Sequence, residues 1–370
     1  MRVAIVHDYL TQHGGAERVV LALHRMFPDA PIYTSLYDPE GTFEQFRDTD
    51  VRTSFIQRLP HRGGLFRLYL PLYATAFDGL RLRGYDLVIS SSSGWAHAVR
   101  APDAHHVCYC HSPAKWLYQA QAYLGSRSSV DRWLRVAIAP ALGALGRWDR
   151  RVATRPDAYI ANSTTVARRI LEIYGREAQV VHPPVDVERF SRTESRAQDE
   201  GFYLVVARLL PYKRVDLAVR VCTRRHVPLV VVGEGPAYDH LQRIAGPTVT
   251  MAGRISESEL VQRYRACRAL IQCGAEDFGL APLEANAAGR PVVAYARGGA
   301  TDTVVEGRTG ILFAEQSEGA LHDALDRLEA RPWDRDQLRR HASRFDESRF
   351  ATRMRSLIAR LGADRRVETP

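Results

Sequence analysis

Two glutamates bracket a short turn in the second half of the chain. Glu276 and Glu284 lie in the segment CGAEDFGLAPLEANAAG, residues 273–289, at the end of the apolar run ALIQC. The apolar run predicts a buried strand. Pro282 and Gly289 predict the first turn and the end of the helix that follows.

The turn between the acids predicts a phosphate site. The backbone amides of Phe278, Gly279 and Leu280 precede a helix N-terminus, where N–H groups lack partners and the helix dipole is positive. Because carboxylates repel phosphate, the acids must bind another part of the same ligand, and a carboxylate accepts two strong hydrogen bonds from a vicinal diol. Sugars on both sides of a diphosphate meet these requirements, so the pattern indicates a nucleotide-sugar. In the alternative interpretation, Glu284 is an early-turn acid that stabilises its helix and Glu276 is solvated.

Two cations are candidates for neutralising such a diphosphate. Arg208 ends the predicted strand FYLVVAR (202–208), and Lys213, one of only two lysines in the chain, lies in the loop that follows. Departure of a nucleoside diphosphate needs positive charge where negative charge develops. Surface solvation is the alternative. The string DRD (334–336) predicts a solvated helix start rather than a metal site.

Glycine pairs follow two other predicted strands. Gly14 and Gly15 open a helix, so the backbone there could approach a phosphate closely, although a plain strand-to-helix turn is the alternative. Gly233 and Glu234 belong to the segment GEGP, which could line a diphosphate in the same way.

The segment HHVCYCH (105–111) contains several metal-ligating residue types. Strand alternation places His106, Cys108 and Cys110 on one face and His105 and His111 on the other. This division argues against a single tetrahedral zinc site.

Short apolar strands and amphipathic helices alternate along the whole chain, which predicts parallel sheets with helical crossovers. A Pro-Pro pair at 183–184 indicates a linker. We therefore predict two doubly wound, Rossmann-like α/β domains at residues 1–184 and 185–345. A helix ending near residue 362 and a frayed tail, together 346–370, are predicted to cross back to the first domain. Ligands of such sheets bind beyond the carboxyl ends of the strands, so we expect a site in a cleft between the domains.

Composition restricts the class of protein. The chain has 370 residues, is 45% hydrophobic and 25% charged, and has five cysteines without disulfide-scaffold spacing. No apolar run approaches the ~20 residues that span a bilayer. The first strand begins beside Met1, so we predict no signal peptide and a reducing, cytoplasmic setting.

The net charge of +9 comes almost entirely from arginine, for which codon bias is the simpler explanation. A basic surface nevertheless attracts nucleic acid, anionic lipid or phosphorylated small molecules. Residues 57–86 mix arginines with Leu, Phe and Tyr. They could lie on an anionic membrane, or form a helix packed on the sheet with snorkelling arginines.

Together these motifs resemble the retaining glycosyltransferases of family four, which have the GT-B fold. The family pattern is followed at residues 160–170, 203–219, 230–236, 251–271 and 276–313. The N-terminal segments 5–19 and 109–118 resemble the subset that acts on bacterial surface polysaccharides.

The resemblance implies roles for individual residues. Glu276 and Glu284 match the two acids of the E-x7-E motif, as grips for the sugar hydroxyls and the ribose. Arg208 and Lys213 would bind the diphosphate, and His111 would reach the donor sugar near its reacting carbon. The family's base-contacting loop falls on Gly253, Arg254 and Ile255. Further predicted donor-site residues are Gly14, Gly15, Gly233, Glu234, Asp277, Phe278, Gly279 and Leu280.

Asp8, Trp116 and Tyr118 are predicted to contact the acceptor. Trp116 and Tyr118, with Tyr123 and Trp133, would form an aromatic platform, although aromatic side chains more often belong to a core.

The expected activity is therefore hexose transfer with retention at the anomeric carbon, without a metal or a cofactor beyond the nucleotide-sugar co-substrate. GDP-mannose is the preferred donor, and UDP-sugars and dTDP-rhamnose remain open. The expected acceptor is a lipid-linked glycan of exopolysaccharide or O-antigen assembly. Two rival functions are a nucleotide-sugar epimerase, which converts donor without acceptor, and a basic nucleic-acid-binding protein, whose affinity would fall steeply with salt. The chain lacks the basic-aromatic strand of the RNA-binding sheet module, so we expect no nucleic-acid partner.

Overall fold

Strands and helices alternate in two separate parallel sheets. The computed structural model describes residues 1–59, 70–119, 129–191 and 200–367. These residues form two units. The second unit runs from Val185 to Arg349, and the first comprises the described residues before Val185 together with those from Phe350 onward.

The first unit contains a seven-stranded parallel sheet. Its strands are β1 Val3–His7, β2 Ile32–Thr34, β3 Val51–Thr53, β4 Leu87–Ser92, β5 His105–Cys110, β6 Ala158–Ala161 and β7 Ala178–Val180. Their spatial order is β3-β2-β1-β4-β5-β6-β7. In β1, Val3 and Ile5 pack into the core on one face, and Ala4 and Val6 pack into the core on the other. Burial on both faces explains why these strands are apolar without interruption.

Helices connect the strands of this unit. They are α1 Gly15–Met26, α2 Leu70–Gly79, α3 Lys115–Tyr118, α4 Ser129–Val152 and α5 Thr164–Tyr174. Local sequence explains where α5 begins and ends. The Ser163 hydroxyl accepts a hydrogen bond from the Val166 amide at the start, and Gly175 adopts φ +65° at the end. Val166 and Ile170, one turn apart, are the buried residues that hold α5 on the sheet.

The second unit contains a six-stranded parallel sheet. Its strands are β8 Tyr203–Val206, β9 Leu229–Val232, β10 Val249–Gly253, β11 Ala269–Gln272, β12 Val292–Tyr295 and β13 Gly310–Phe313, in the spatial order β10-β9-β8-β11-β12-β13. Its helices are α6 Val187–Ser191, α7 Val215–Arg225, α8 Tyr238–Ile244, α9 Glu257–Ala266, α10 Leu280–Ala287, α11 Ala300–Thr303, α12 Glu318–Glu329 and α13 Arg335–Ala342. Leu229 and Val231 face one core, and Val230 and Val232 face the other.

The last helix, α14 Glu347–Val367, contributes to the core of the first unit. Phe350, Met354, Leu357 and Ile358 recur at the spacing of one helical face and are buried with the β1 residues Val3 and Ile5. The Phe350 ring lies 5.8 Å from the Tyr109 ring, centroid to centroid, on β5.

The predicted pair of parallel-sheet α/β domains is confirmed. Three strands were not predicted, β2, β3 and β7, which have three residues each. The last helix continues to Val367, so the predicted helix end near residue 362 is wrong.

The structure describes only part of the 57–86 segment, which could lie on a membrane. Residues 60–69 of the 57–86 segment lie outside the described residues. Within α2, Tyr73 and Phe77 are buried in the core, which is the behaviour of a helix packed on the sheet. Among the described helices, none combines the length and apolarity needed to cross a bilayer.

Truncating Phe350 tests the contribution of α14. Because Phe350 is 2% exposed in the core of the first unit, we expect Phe350→Ala to lower the free energy of unfolding by about 3–5 kcal/mol. Urea unfolding followed by circular dichroism measures the change. The matched control is Phe55→Ala, because Phe55 is 49% exposed. Equal effects of the two substitutions would contradict the packing of α14.

Candidate functional site

Four neighbouring strands of the second unit end at the same sheet edge. The order β10-β9-β8-β11 brings together the loops that carry Arg254, Gly233, Arg208 and Glu276. Backbone hydrogen bonds join these loops to one another. The Leu209 amide donates to the Glu234 carbonyl, and the Gly233 amide donates to the Gly253 carbonyl, each at 2.8 Å.

Glycines permit this close approach of loops. Gly233 has φ +136° and Gly298 has φ +71°, both in the region that favours glycine. A Cβ atom at Gly233 would overlap the Ala207 carbonyl oxygen, and one at Gly298 would overlap the Glu276 carbonyl oxygen. The Gly299 amide donates to that same Glu276 oxygen at 2.8 Å. The backbone position of Glu276 is therefore set by the loop after β12.

Glu276 forms an ion pair with Lys213. The side chains are 18% and 12% exposed, so water screens the pair only in part. Lys213 lies in a 3-10 turn at Pro211–Lys213, and its Nζ atom is 5.0 Å from the centroid of the Tyr212 ring. A side chain at Gly274 would collide with the Lys213 backbone. The predicted proximity of the acid and the cation is thus found, and the alternative that Glu276 is solvated is wrong.

The turn between the two acids has the geometry of a helix start. Gly279 is the N-cap residue of α10 with φ +86°, and Leu280 is the first helical residue. Phe278 is buried against Val185 and Leu283, which fixes the turn beside the helix. The first amides of α10 have no carbonyl of their own helix to bind. Asp277 is partly buried in the same turn.

Glu284 is buried in the middle of α10. Its side chain is 5% exposed, and its carboxylate accepts a hydrogen bond of 2.7 Å from the Tyr264 hydroxyl. Tyr264 is fully buried on α9, with its ring 5.3 Å from the ring of Phe190. Glu284 lies beyond the first turn of its helix, so the alternative that it is an early-turn acid is wrong.

The remaining predicted donor residues of this unit lie at the same edge. Arg208 follows β8, Glu234 follows β9, and all three of Arg208, Glu234 and Arg254 are exposed. Gly253 ends β10 with φ +64°. Ile255 is half-buried and packs against the core.

His111 ends a chain of buried polar groups in the first unit. His111 Nε2 is 2.8 Å from Ser91 Oγ, and the same hydroxyl is 3.1 Å from His7 Nδ1. His7 Nδ1 is also 3.0 Å from the Ser91 carbonyl, and His7 Nε2 faces Glu17 at 3.9 Å. No local sequence pattern predicts a role for His7, Ser91 or Glu17. Their contact depends on β1 and β4 being neighbours in the sheet.

The Asp8 carboxylate binds the backbone of its own unit. It accepts hydrogen bonds from the amides of Ser93, Trp95 and Ala96, the last two at 2.8 Å. The Ser93 hydroxyl is a fourth donor at 3.1 Å. Asp8 thus stabilises the loop after β4, and its predicted contact with an acceptor stays a prediction.

The predicted aromatic platform is mainly packed against protein. The ring of Trp116 is partly buried and packs against the core of the first unit, edge-on to Trp95 at 4.9 Å between centroids. The Tyr118 hydroxyl donates to Asp149 at 2.7 Å. Burial first, and then the Asp149 charge, raise the pKa of Tyr118. Tyr123 and the side chain of Trp133 lie outside the described residues.

Gly14 and Gly15 start α1 as predicted. Gly14 is the N-cap residue, and a Cβ atom there would overlap a carboxylate oxygen of Glu17. The glycine therefore makes room for the acid that faces His7.

The predicted division of the 105–111 residues is found. His106 is buried, with Nε2 2.8 Å from Ser90 Oγ, and burial lowers its pKa to about 3.

In the described part of the chain, the only three metal-ligating side chains with suitably close ligand atoms are His322, Asp323 and Asp326, which are all exposed. Asp334 accepts hydrogen bonds from the amides of Asp336 and Gln337, so the DRD string is a helix start, as predicted.

The His7–Glu17 pair predicts a pH dependence. Burial opposes protonation of His7, but the Glu17 carboxylate, together with the Asp8 charge and the Ser91 carbonyl, outweighs burial and raises the pKa of His7 above 6.5. A raised folded-state pKa contributes stability that is complete below the unfolded pKa and is lost as pH rises through the folded pKa. We therefore expect Glu17→Gln to lower the urea midpoint most below about pH 6.5 and progressively less above it. Glu44→Gln is the control, because the Glu44 side chain is 86% exposed. A difference that does not vary with pH would contradict the pairing.

Both halves of the chain match family models. Residues 13–189 match the model described as Glycosyltransferase Family 4, and residues 186–345 match the model described as Glycosyl transferases group 1. Curated relatives include the D-inositol 3-phosphate glycosyltransferases of Mycobacterium tuberculosis and Mycobacterium bovis, 32% identical over 212 residues. The match covers 51% of this chain and 44% of those relatives, so the chain spans less than half of their length.

Solved structures show the same fold over nearly the whole chain. Sucrose-phosphate synthase from Thermosynechococcus elongatus is 20% identical with a TM-score of 0.73, covering 98% of this chain and 100% of that one. The Anabaena protein HepE, solved with UDP, is 18% identical with a TM-score of 0.69, covering 97% of this chain and 100% of that one. The predicted GT-B fold class is confirmed.

Proposed function

We propose that the protein transfers a hexose from a nucleotide-sugar to an acceptor hydroxyl, because both halves of the chain match glycosyltransferase family models. The single observation that carries the proposal is the Lys213–Glu276 pair beside the N-terminus of α10. It places a cation, a carboxylate and a set of helix-start amides in one unit, and these are the groups that a sugar diphosphate requires.

The Lys213–Glu276 ion pair reduces the repulsion between Glu276 and a bound phosphate. A carboxylate beside a phosphate is repelled by it, and the repulsion is strong where water is partly excluded. Lys213 offsets the charge of Glu276, so Glu276 can bind sugar hydroxyls close to the diphosphate. In the proposal, Lys213 and the exposed Arg208 also stabilise the negative charge that develops on the departing nucleoside diphosphate, in place of a divalent ion.

Glu284 is proposed to bind the ribose. Its burial and the hydrogen bond from Tyr264 restrict the orientation of its carboxylate. A carboxylate that is held in this way loses little side-chain entropy when it accepts hydrogen bonds from a diol. Gly253, Arg254 and Ile255 are proposed to contact the base, and the Gly233–Glu234 segment to line the diphosphate.

The proposed reaction retains the configuration at the anomeric carbon. We assign no carboxylate as a covalent nucleophile, which distinguishes this route from double displacement. The bond between the anomeric carbon and the phosphate oxygen breaks through an oxocarbenium-like state. The acceptor oxygen then bonds on the same face, and its proton passes to the departing phosphate. His111 is proposed to contact the donor sugar. Its ring contacts the Ser91 hydroxyl, and its amide donates to the Ser92 carbonyl.

GDP-mannose is the proposed donor, with UDP- and dTDP-sugars as the alternatives to be compared. The proposed acceptor is a lipid-linked glycan of a bacterial surface polysaccharide, with Asp8, Trp116 and Tyr118 in the acceptor-binding unit. A cytoplasmic enzyme that touches the anionic inner face of the membrane would meet both substrates.

A thermal-shift panel tests the proposal. GDP, UDP, dTDP and their sugars are added in turn, and we expect one nucleotide to raise the melting temperature, because a ligand at 100 times its Kd stabilises by about 2.7 kcal/mol. The shift should persist with a chelator present. It should be lost in Lys213→Ala and kept in Lys115→Ala, the variant of the only other lysine. If no nucleotide shifts the melting temperature, the proposal fails.

Two acid variants separate the proposed roles of the glutamates. Glu284→Gln should weaken binding of the free nucleoside diphosphate and of the nucleotide-sugar alike, about tenfold or more, because a charge-assisted hydrogen bond is lost in both. Glu276→Gln should weaken only the nucleotide-sugar. Isothermal titration calorimetry with both ligands measures the two affinities. Equal losses for both ligands in Glu276→Gln would refute its assignment to the sugar.

A further inference from the structure

A basic cavity opens at the other edge of the second unit's sheet. Its volume is about 450 Å³, within the range of small-molecule sites. Four arginines and one tryptophan line it, namely Arg268, Arg290, Arg331, Arg335 and Trp333. Arg268 directly precedes β11, and Pro291, also in the lining, directly precedes β12. The cavity therefore lies at the amino ends of strands whose carboxyl ends carry Glu276 and the loop of Gly298.

The lining of this cavity contains more basic than acidic side chains. Glu329 is the only acid in the lining, and its carboxylate is 3.6 Å from Arg268. The same carboxylate also pairs with Arg225 at 3.1 Å, and it accepts a hydrogen bond from the Tyr203 hydroxyl. Four guanidinium charges thus face one carboxylate whose charge is already shared.

Backbone carbonyl contacts position two of these arginines. Arg290 is 4% exposed and donates through Nε to the Arg265 carbonyl at 2.9 Å. Arg331 donates to the Gly307 carbonyl at 3.0 Å, and its guanidinium lies 5.7 Å from the ring centroid of Trp333. Because a guanidinium has five N–H donors, the carbonyl contact of Arg331 leaves donors for a ligand.

Arg335 supplies a cation at the rim. It is exposed and is the first residue of α13. Over the ranges that the structure describes, no carboxylate pairs with Arg335 or with Arg331. Clustered arginines in a concave site are the arrangement that binds phosphate bidentately.

We propose that this cavity is a binding site for a phosphate ester that carries at least two negative charges, separate from the donor site. The size of the cavity suits a phosphorylated sugar or a phosphorylated lipid headgroup, and both present the same group to the arginines. The helix α10 begins after the Gly279 turn and ends at Ala287, two residues before Gly289, which lines the cavity, so one helix spans most of the distance between the two sites.

Calorimetric titration of the full chain with inorganic pyrophosphate tests the proposal. Pyrophosphate could also enter the donor site, so the titration is repeated with Arg208→Ala/Lys213→Ala. We expect binding to persist in that variant and to weaken at least ~tenfold in Arg331→Ala/Arg335→Ala, as the loss of charge-assisted hydrogen bonds requires. Arg340→Ala is the matched control, because Arg340 is an exposed arginine of α13 outside the cavity lining.

Two results of this titration would overturn the proposal. Unchanged affinity in Arg331→Ala/Arg335→Ala would overturn the proposal, and so would an equal loss in Arg340→Ala, which indicates diffuse surface charge. If the double variant does not fold, Arg335→Gln, at an exposed position, gives the same comparison. Sedimentation with phosphatidylcholine vesicles containing phosphatidic acid distinguishes the sources: binding that requires Arg331 and Arg335 identifies a lipid phosphate, and its absence identifies a free one. The nucleotide-induced shift of the melting temperature should be unchanged in Arg331→Ala/Arg335→Ala. The proposed donor site and the proposed phosphate site are therefore tested independently.

Discussion

The donor edge of the second unit depends on backbone segments that touch without room for side chains. Gly233 lies against Ala207, Gly274 against Lys213, and Gly298 against Glu276. Parallel strands bring their carboxyl ends to one edge, but strands alone leave the loops free to diverge. The glycines remove that freedom by letting one loop rest on the next. The charged side chains then project from positions that are fixed by backbone contact rather than by their own hydrogen bonds.

The charged residues at the donor edge have different surroundings. The partly buried Lys213–Glu276 pair lies beside the start of α10. Glu284 is buried and hydrogen-bonded to Tyr264, whereas Arg208 is exposed on the loop after β8. Burying an acid with a partner costs less than burying it alone, because the unpaired charge loses its hydration without compensation. The two glutamates therefore have different environments even though they lie eight residues apart on one turn and helix.

The sequence predicts those features that local patterns encode. Continuous apolar runs such as GILF at 310–313 predict buried strands, and β13 has those bounds. The edge strand β3, with the residues VRT, is largely exposed and has no such pattern. Motif and charge single out Glu276 and Lys213, which form an ion pair, whereas the Tyr264–Glu284 hydrogen bond depends on how α9 packs against α10. The contacts of Asp8 likewise depend on the pairing of β1 with β4, which no local pattern contains.

The placement of α14 has a consequence for biosynthesis. Phe350, Met354, Leu357 and Ile358 complete a core whose other buried residues precede Val185, so the ribosome must add at least the intervening 165 residues before that core can close. At 5–20 residues per second, this interval is on the order of 10–30 s. During that time the nascent chain presents an uncovered apolar groove beside β1 and β5, a surface that chaperones bind and that promotes aggregation. The second unit, in contrast, has all of its own strands once Phe313 has been added, before α14 is made.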